Sequence, residues 1–181
     1  MDELNRLAPL LSRFNEVGSQ IAAIVGRPAT TGHIGEFIAS RIFDIELERS
    51  ANSKALDGRF RSGPLAGKSI NIKWYPKLES LDINPLSIPD FYLVMAGPRS
   101  SAPNSRNVDR PLVITQVFLF AAEALMAELR TRGVKVQTGT SVRREEWSRA
   151  EVYPSAKSQL YVLSETQRQL LALFSGGPVG T

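Results

Sequence analysis

Leu56-Asp57-Gly58-Arg59-Phe60-Arg61 and, after the turn Ser62-Gly63-Pro64, Ser69-Ile70-Asn71-Ile72-Lys73-Trp74-Tyr75 decide how this chain is read. Both segments alternate, as strands with one covered face do. Leu56 and Phe60 share one face, with Asp57, Arg59 and Arg61 on the other. In the second segment Ile70, Ile72 and Trp74 point in, and Asn71, Lys73 and Tyr75 point out. Ser-Gly-Pro is turn chemistry, and Pro76 closes the second strand. Phe91–Ala96 and Leu112–Phe120 are near-continuous apolar runs, as expected of strands covered on both faces. Ile45–Glu48 and Val134–Gln137 are shorter strand candidates.

Helical periodicity surrounds these strands. In residues 3–25, Leu4, Leu7, Leu10, Leu11, Phe14, Val17, Ile21 and Ile24 recur at three- and four-residue steps, which predicts one or two amphipathic helices divided at Gly18. Gly26-Arg27-Pro28 stops them. A further helix spans about 31–43, capped by Thr30 or Thr31, with Ile34, Phe37, Ile38 and Ile42 as its core stripe. Gly32, Gly35 and Ala39 form a stripe of small residues that admits close approach to a sheet. Helices are also expected at about 121–132, from Thr140 or Ser141 through about 151, and at 164–174. Residues 97–110 read as a mobile polar loop, and the tail from Ser175 as disordered.

The 181 residues suit one domain: an N-terminal helical segment (1–28), a core (30–154), and a C-terminal helix with its tail (155–181). The absence of cysteine excludes disulfides, thiolate metal sites and a cysteine nucleophile. A single histidine, His33, excludes any site needing two. No apolar leader or membrane-length run is present, so a cytoplasmic protein is expected. The net charge of +4 is uneven: −1 over residues 1–60, +3 over 61–120 and +2 over 121–181. That distribution suits a polyanionic partner or serves solubility alone.

Ser62-Gly63-Pro64-Leu65-Ala66-Gly67-Lys68-Ser69 comes close to a phosphate-binding loop. Such a loop must open a helix. Here a strand leaves it, so an ATPase is not expected.

Asp57, Asn71 and Lys73 can share a face if the hairpin pairs in register, and the small-residue stripe can bring Glu36 near. Carboxylate and carbonyl oxygens hold Mg²⁺, and an ammonium beside it positions water or stabilises developing negative charge. The plain alternative is a turn aspartate, a solvent-facing strand lysine and a surface glutamate.

The ordered series Thr31-Gly32-His33-Ile34-Gly35-Glu36, Leu56-Asp57-Gly58-Arg59 and Ile70-Asn71-Ile72-Lys73 resembles the PD-(D/E)xK nuclease superfamily, with its restriction-endonuclease-like fold. More closely, it resembles an uncharacterised bacterial branch with a GHxGE helix, an Asp-Gly hairpin and an Asn/Gln-x-Lys strand. Val117–Phe120, Leu129–Lys135, Thr140–Arg143 and Glu151–Pro154 extend the resemblance over about residues 30–154. It implies a central mixed four- to five-stranded sheet flanked by helices, with extra N-terminal helices. It also implies a Mg²⁺- or Mn²⁺-dependent hydrolase acting on DNA, and it is compatible with a homodimer. Glu36, Asp57 and the Ile72 carbonyl would bind metal, and Lys73 would be the catalytic lysine. Asn71 stands where the superfamily usually has an acid, which removes one formal charge. Asp82 or Asp90 could substitute for it. A catalytically inactive nuclease-fold protein, binding nucleic acid or serving as a subunit of a larger assembly, is the other reading. Arg59, Arg61, Lys68, Lys77, Arg143 and Arg144 are the candidate phosphate contacts. His33, one turn before Glu36, is either a phosphate or ligand contact or a capping and packing residue.

Overall fold

The computed structural model describes residues 2–48, 56–76, 78, 80–98 and 111–176. Among them run α1 (Asp2–Val25), α2 (Thr31–Ile42), β1 (Ile45–Leu47), β2 (Gly58–Phe60), β3 (Ser69–Tyr75), β4 (Phe91–Ala96), β5 (Gln116–Ala121), α3 (Ala122–Thr131), α4 (Arg144–Ala150), β6 (Glu151–Tyr153) and α5 (Glu165–Ala172). The fold is α+β, with one mixed sheet in the order β1-β2-β3-β4-β5-β6. Neighbouring strands are antiparallel except β3 and β4, which run parallel with Ile70 beside Phe91 and Lys73 beside Val94.

Six strands replace the four or five expected. β6 is only three residues long and follows α4 with no turn residue between them, so nothing in its pattern announces a strand. Val134–Gln137 is not a strand; the Gln137 N–H instead donates to Thr140 Oγ1 at 2.9 Å. A single uninterrupted helix, α1, stands where one or two were expected, and Gly18 does not divide it. α4 starts at Arg144 rather than near Thr140, because Glu146 reaches back to the Arg143 N–H at 2.6 Å and fixes the first turn there. The apolar run from Leu112 begins as coil, and β5 starts only at Gln116.

Two apolar layers sandwich the sheet. On one face α2 and α5 cover Phe60, Ile70, Ile72, Trp74, Leu93, Met95 and Leu119. On the other, α3 and α4 cover Tyr92, Val94, Phe118 and Phe120. Trp147 of α4 meets Phe118 and Phe120 edge-on, each at 4.9 Å between ring centres. Gly35 sets the approach of α2: a Cβ there would lie 3.1 Å from Trp74 Cβ. Ala39 is likewise buried, whereas Gly32 is exposed. Two of the three small residues therefore form the contact. Gly58 is required at β2, where a Cβ would fall 2.4 Å from the Glu46 carbonyl oxygen.

The loop before β3 contains a short 3-10 turn (Gly63–Leu65) and leads into a strand, as its sequence context predicts. The expected mobile segment lies mostly outside the described residues, at 99–110, as does the tail from residue 177. Among the described residues no helix is long and apolar enough to cross a membrane.

Candidate active site

Glu36 and Asp57 come together from different elements. Thr30 caps α2 by accepting the His33 N–H at 3.3 Å, and the Gly35 contact presses the next residue, Glu36, towards β3. Asp57 immediately precedes β2. Its N–H donates to the Ile70 carbonyl at 3.0 Å, and its Oδ2 accepts the Ile72 N–H at 2.6 Å. The carboxylate thus takes the place of a main-chain acceptor at the end of the β2–β3 ladder and is held there without rotamer freedom.

The electrostatics identify the neighbours. Burial, and then the adjacent Asp57 charge, raise the Glu36 carboxyl above its ordinary range; Arg27 and His33 pull the other way. Burial also raises Asp57, opposed by the Ile72 N–H and by the charges of Lys73 and Arg27. Asp57 therefore has Glu36, Arg27 and Lys73 within electrostatic reach. Arg27 contacts Glu36 directly, Nη1 to Oε2 at 2.6 Å. Sequence reasoning assigned Gly26-Arg27-Pro28 only to stopping a helix. A loop residue has no periodicity to show where its side chain goes, so Arg27 carried no usable signal.

Asn71 and Lys73 do not face α2. Side chains alternate along β3, and Ile70, Ile72 and Trp74 occupy the α2 side. Asn71 and Lys73 lie on the α3 side, beside Tyr92 and Val94. Lys73 acts on Asp57 electrostatically from that side, so the cluster forms around the strand edge and not on one face. Asn71 is buried rather than solvent-facing, because Leu81, Ile83, α3 and α4 supply a second layer over that face. Tyr75 is half-buried for the same reason, and its hydroxyl accepts the Asp82 N–H at 3.0 Å.

His33 Nδ1 lies 2.9 Å from the Pro28 carbonyl oxygen. A carbonyl only accepts, so Nδ1 is the donor. That bond ties the start of α2 to the Arg27 loop, a packing role that leaves the ring within electrostatic reach of Glu36.

The candidate phosphate contacts do not gather around Asp57. Arg59 Nη1 donates to the Gly67 carbonyl at 3.1 Å, Arg61 pairs with Asp44 at 2.9 Å, and Lys68 pairs with Asp90 at 3.2 Å. All three brace the β2–β3 turn, away from the carboxylates. Arg143 and Arg144 stand at α4 against β5. Lys77 lies outside the described residues. Asp90 and Asp82 do not substitute for the missing acid: Asp90 accepts the Ser69 N–H at 2.8 Å, and Asp82 accepts the Gly139 N–H at 2.8 Å. Among the described residues no three or more His, Cys, Asp or Glu side chains form a metal-holding group.

No protein-family model matches the chain, and a search of curated proteins found no match.

Proposed function

We propose that this chain is a Mg²⁺-dependent nuclease-like protein acting on DNA phosphodiester bonds, built on a restriction-endonuclease-like core. The observation that supports this reading is the convergence of Glu36 and Asp57, two like charges in one partly buried place, with Lys73 and Arg27 in electrostatic reach. A carboxyl whose proton affinity is raised by burial and by a neighbouring carboxylate suits a site that a dication would relieve. The N–H and C=O of a strand residue point the same way, so the Ile72 carbonyl lies on the edge where its N–H meets Asp57. Glu36, Asp57 and that carbonyl form an oxygen set fit for a hard cation.

Bound there, magnesium would polarise a phosphoryl oxygen and acidify a water molecule. The Ile72 N–H orients Asp57. Lys73 supplies a positive charge from the other side of the strand edge, placed to stabilise an oxyanion. Arg27 holds Glu36 in place and offers a further phosphate contact once Glu36 turns towards a cation. Asn71 assists at most through its amide.

The second reading is an inactive scaffold of the same fold, which binds nucleic acid or serves as a subunit. The Arg27–Glu36 pair favours it, because a guanidinium already neutralises one of the two carboxylates.

Calorimetric titration with Mg²⁺ and Mn²⁺ separates the two. Saturable binding to wild type that vanishes in Asp57→Ala supports the metal site. Cleavage of plasmid DNA that Lys73→Ala reduces by about 100-fold or more would then support catalysis. No binding to wild type favours the scaffold.

A further inference from the structure

The longest helix is the least buried. None of the 24 residues of α1 is buried, and Leu4, Leu7, Leu10, Leu11, Phe14, Val17 and Ile24 stand between 47% and 75% exposed. Their spacing is that of a coiled coil. Leu4, Leu7, Leu11, Phe14, Gly18, Ile21 and Val25 alternate at three and four residues, and Leu10, Val17 and Ile24 widen the stripe along one side. Pro9 falls on the opposite face, so its missing N–H bond is turned away from the seam.

We propose that α1 is a dimerisation element whose occupant is α1 of a second copy, packed antiparallel. The area suffices: the exposed apolar side chains within the overlap, Leu7 to Ile24, amount to roughly 600 Å² per copy, so a pair would bury about 1,200 Å², at the lower end of the range of specific interfaces. Bulk settles the direction. An antiparallel seam can place Phe14 of each copy over Gly18 of the other, Leu11 against Ile21, and Leu7 against Val25. A parallel seam stacks Phe14 on Phe14 and leaves Gly18 facing Gly18, a void. Within a single copy nothing requires glycine at 18, since a Cβ there would meet no atom within 4 Å. Charge argues against a lipid surface as the occupant. The helix carries Asp2, Glu3 and Glu16 against Arg6 and Arg13, not the basic polar face that anionic membranes attract. The proposal is independent of the catalytic reading.

Light scattering of the full chain at micromolar concentration tests it, with twice the chain mass expected. The exposed pair Leu11→Asp/Phe14→Asp should weaken the dimer by about 100-fold, whereas Ser12→Glu, on the outward face, should leave it intact. Gly18→Leu should weaken it by about tenfold by crowding Phe14 of the other copy. A monomeric wild type overturns the proposal, as does a dimer that survives the double aspartate, or a monomer that sediments with phosphatidylserine vesicles. Tighter pairing in Gly18→Leu overturns the antiparallel register.

Discussion

Glu36 and Glu146 are both shielded helix glutamates paired with arginine, yet they live in opposite circumstances. Glu146 is 6% exposed; it accepts Arg132 Nη2 at 3.0 Å and the Arg143 N–H at 2.6 Å. It caps α4 and neutralises a guanidinium in the α3–α4 layer, with no second carboxylate on it. Glu36 is 19% exposed and has Arg27, but it also has Asp57. The first arrangement serves folding: Glu146 meets the guanidinium and the N–H at the start of α4 at once. The second sets two carboxylates close together in a partly buried place, where keeping Glu36 ionised costs free energy.

The largest test of that difference is thermodynamic. Glu146→Ala should destabilise the fold by about 3–5 kcal/mol, because the largely shielded Arg132 loses its carboxylate and α4 loses its cap. Glu36→Gln should stay within about 1 kcal/mol of wild type, since it removes one of two mutually repelling charges beside a partly exposed arginine. Urea denaturation measures both. Equal losses would make Glu36 a structural residue and dissolve the comparison.

Acid–base linkage sharpens it. Folding raises both Glu36 and Asp57 above their ordinary values of 4.5 and 3.8. The folded state therefore binds protons more tightly than the unfolded chain, and stability falls as pH rises from the ordinary carboxylate range through the raised values. The variant Glu36→Gln/Asp57→Asn lacks this loss. Its stability relative to wild type should climb over that interval and level off above it. Denaturation midpoints read against pH would show the climb, and a flat difference would mean that folding does not raise the two carboxyls. Asp44 and Asp90 act in the opposite sense. Hydrogen bonds from Ser62 and Arg61 lower the first, and those from Ser69 the second, so their contribution is lost as pH falls. Neither is altered in the variant, so both cancel from the difference.

Much of this arrangement was legible in the residues. The three-and-four stripe from Ile34 to Ile42 located α2 to within a residue, and the Asp57–Lys73 alternation located the hairpin. What alternation could not supply was the second layer. Polar Asn71 and Tyr75 read as outward because the alternation of their own strand shows one apolar face, and α3 and α4, which cover the other, lie from 47 residues downstream. The convergence of Glu36 with Asp57 was expected from the small-residue stripe. The route was not: the cluster closes around the strand edge through the Ile72 N–H. The candidate phosphate contacts lie apart from Asp57 for a simpler reason. Arg61 and Lys68 flank a tight turn, and the nearest carboxylates, Asp44 and Asp90, take them. Proximity in sequence to Asp57 says nothing about which way an arginine leans.

The smallest effect expected concerns Arg27, the residue the sequence concealed. Its guanidinium is a third exposed, so Arg27→Met should cost no more than about 1 kcal/mol. Its consequence for Glu36 should be clearer than its energy. Arg27 both bonds Glu36 and lowers its proton affinity, so removing it moves the carboxyl further up, and a proton competes with any cation over a wider pH range. Arg27→Met should therefore shift the pH midpoint of Mn²⁺ binding upward, with a larger effect below neutrality than above it. If Arg27 instead blocks the site by satisfying Glu36, the same substitution strengthens Mn²⁺ binding at every pH. The sign of that change at high pH, where both carboxylates are ionised, distinguishes an arginine that prepares Glu36 for a cation from one that takes the cation's place.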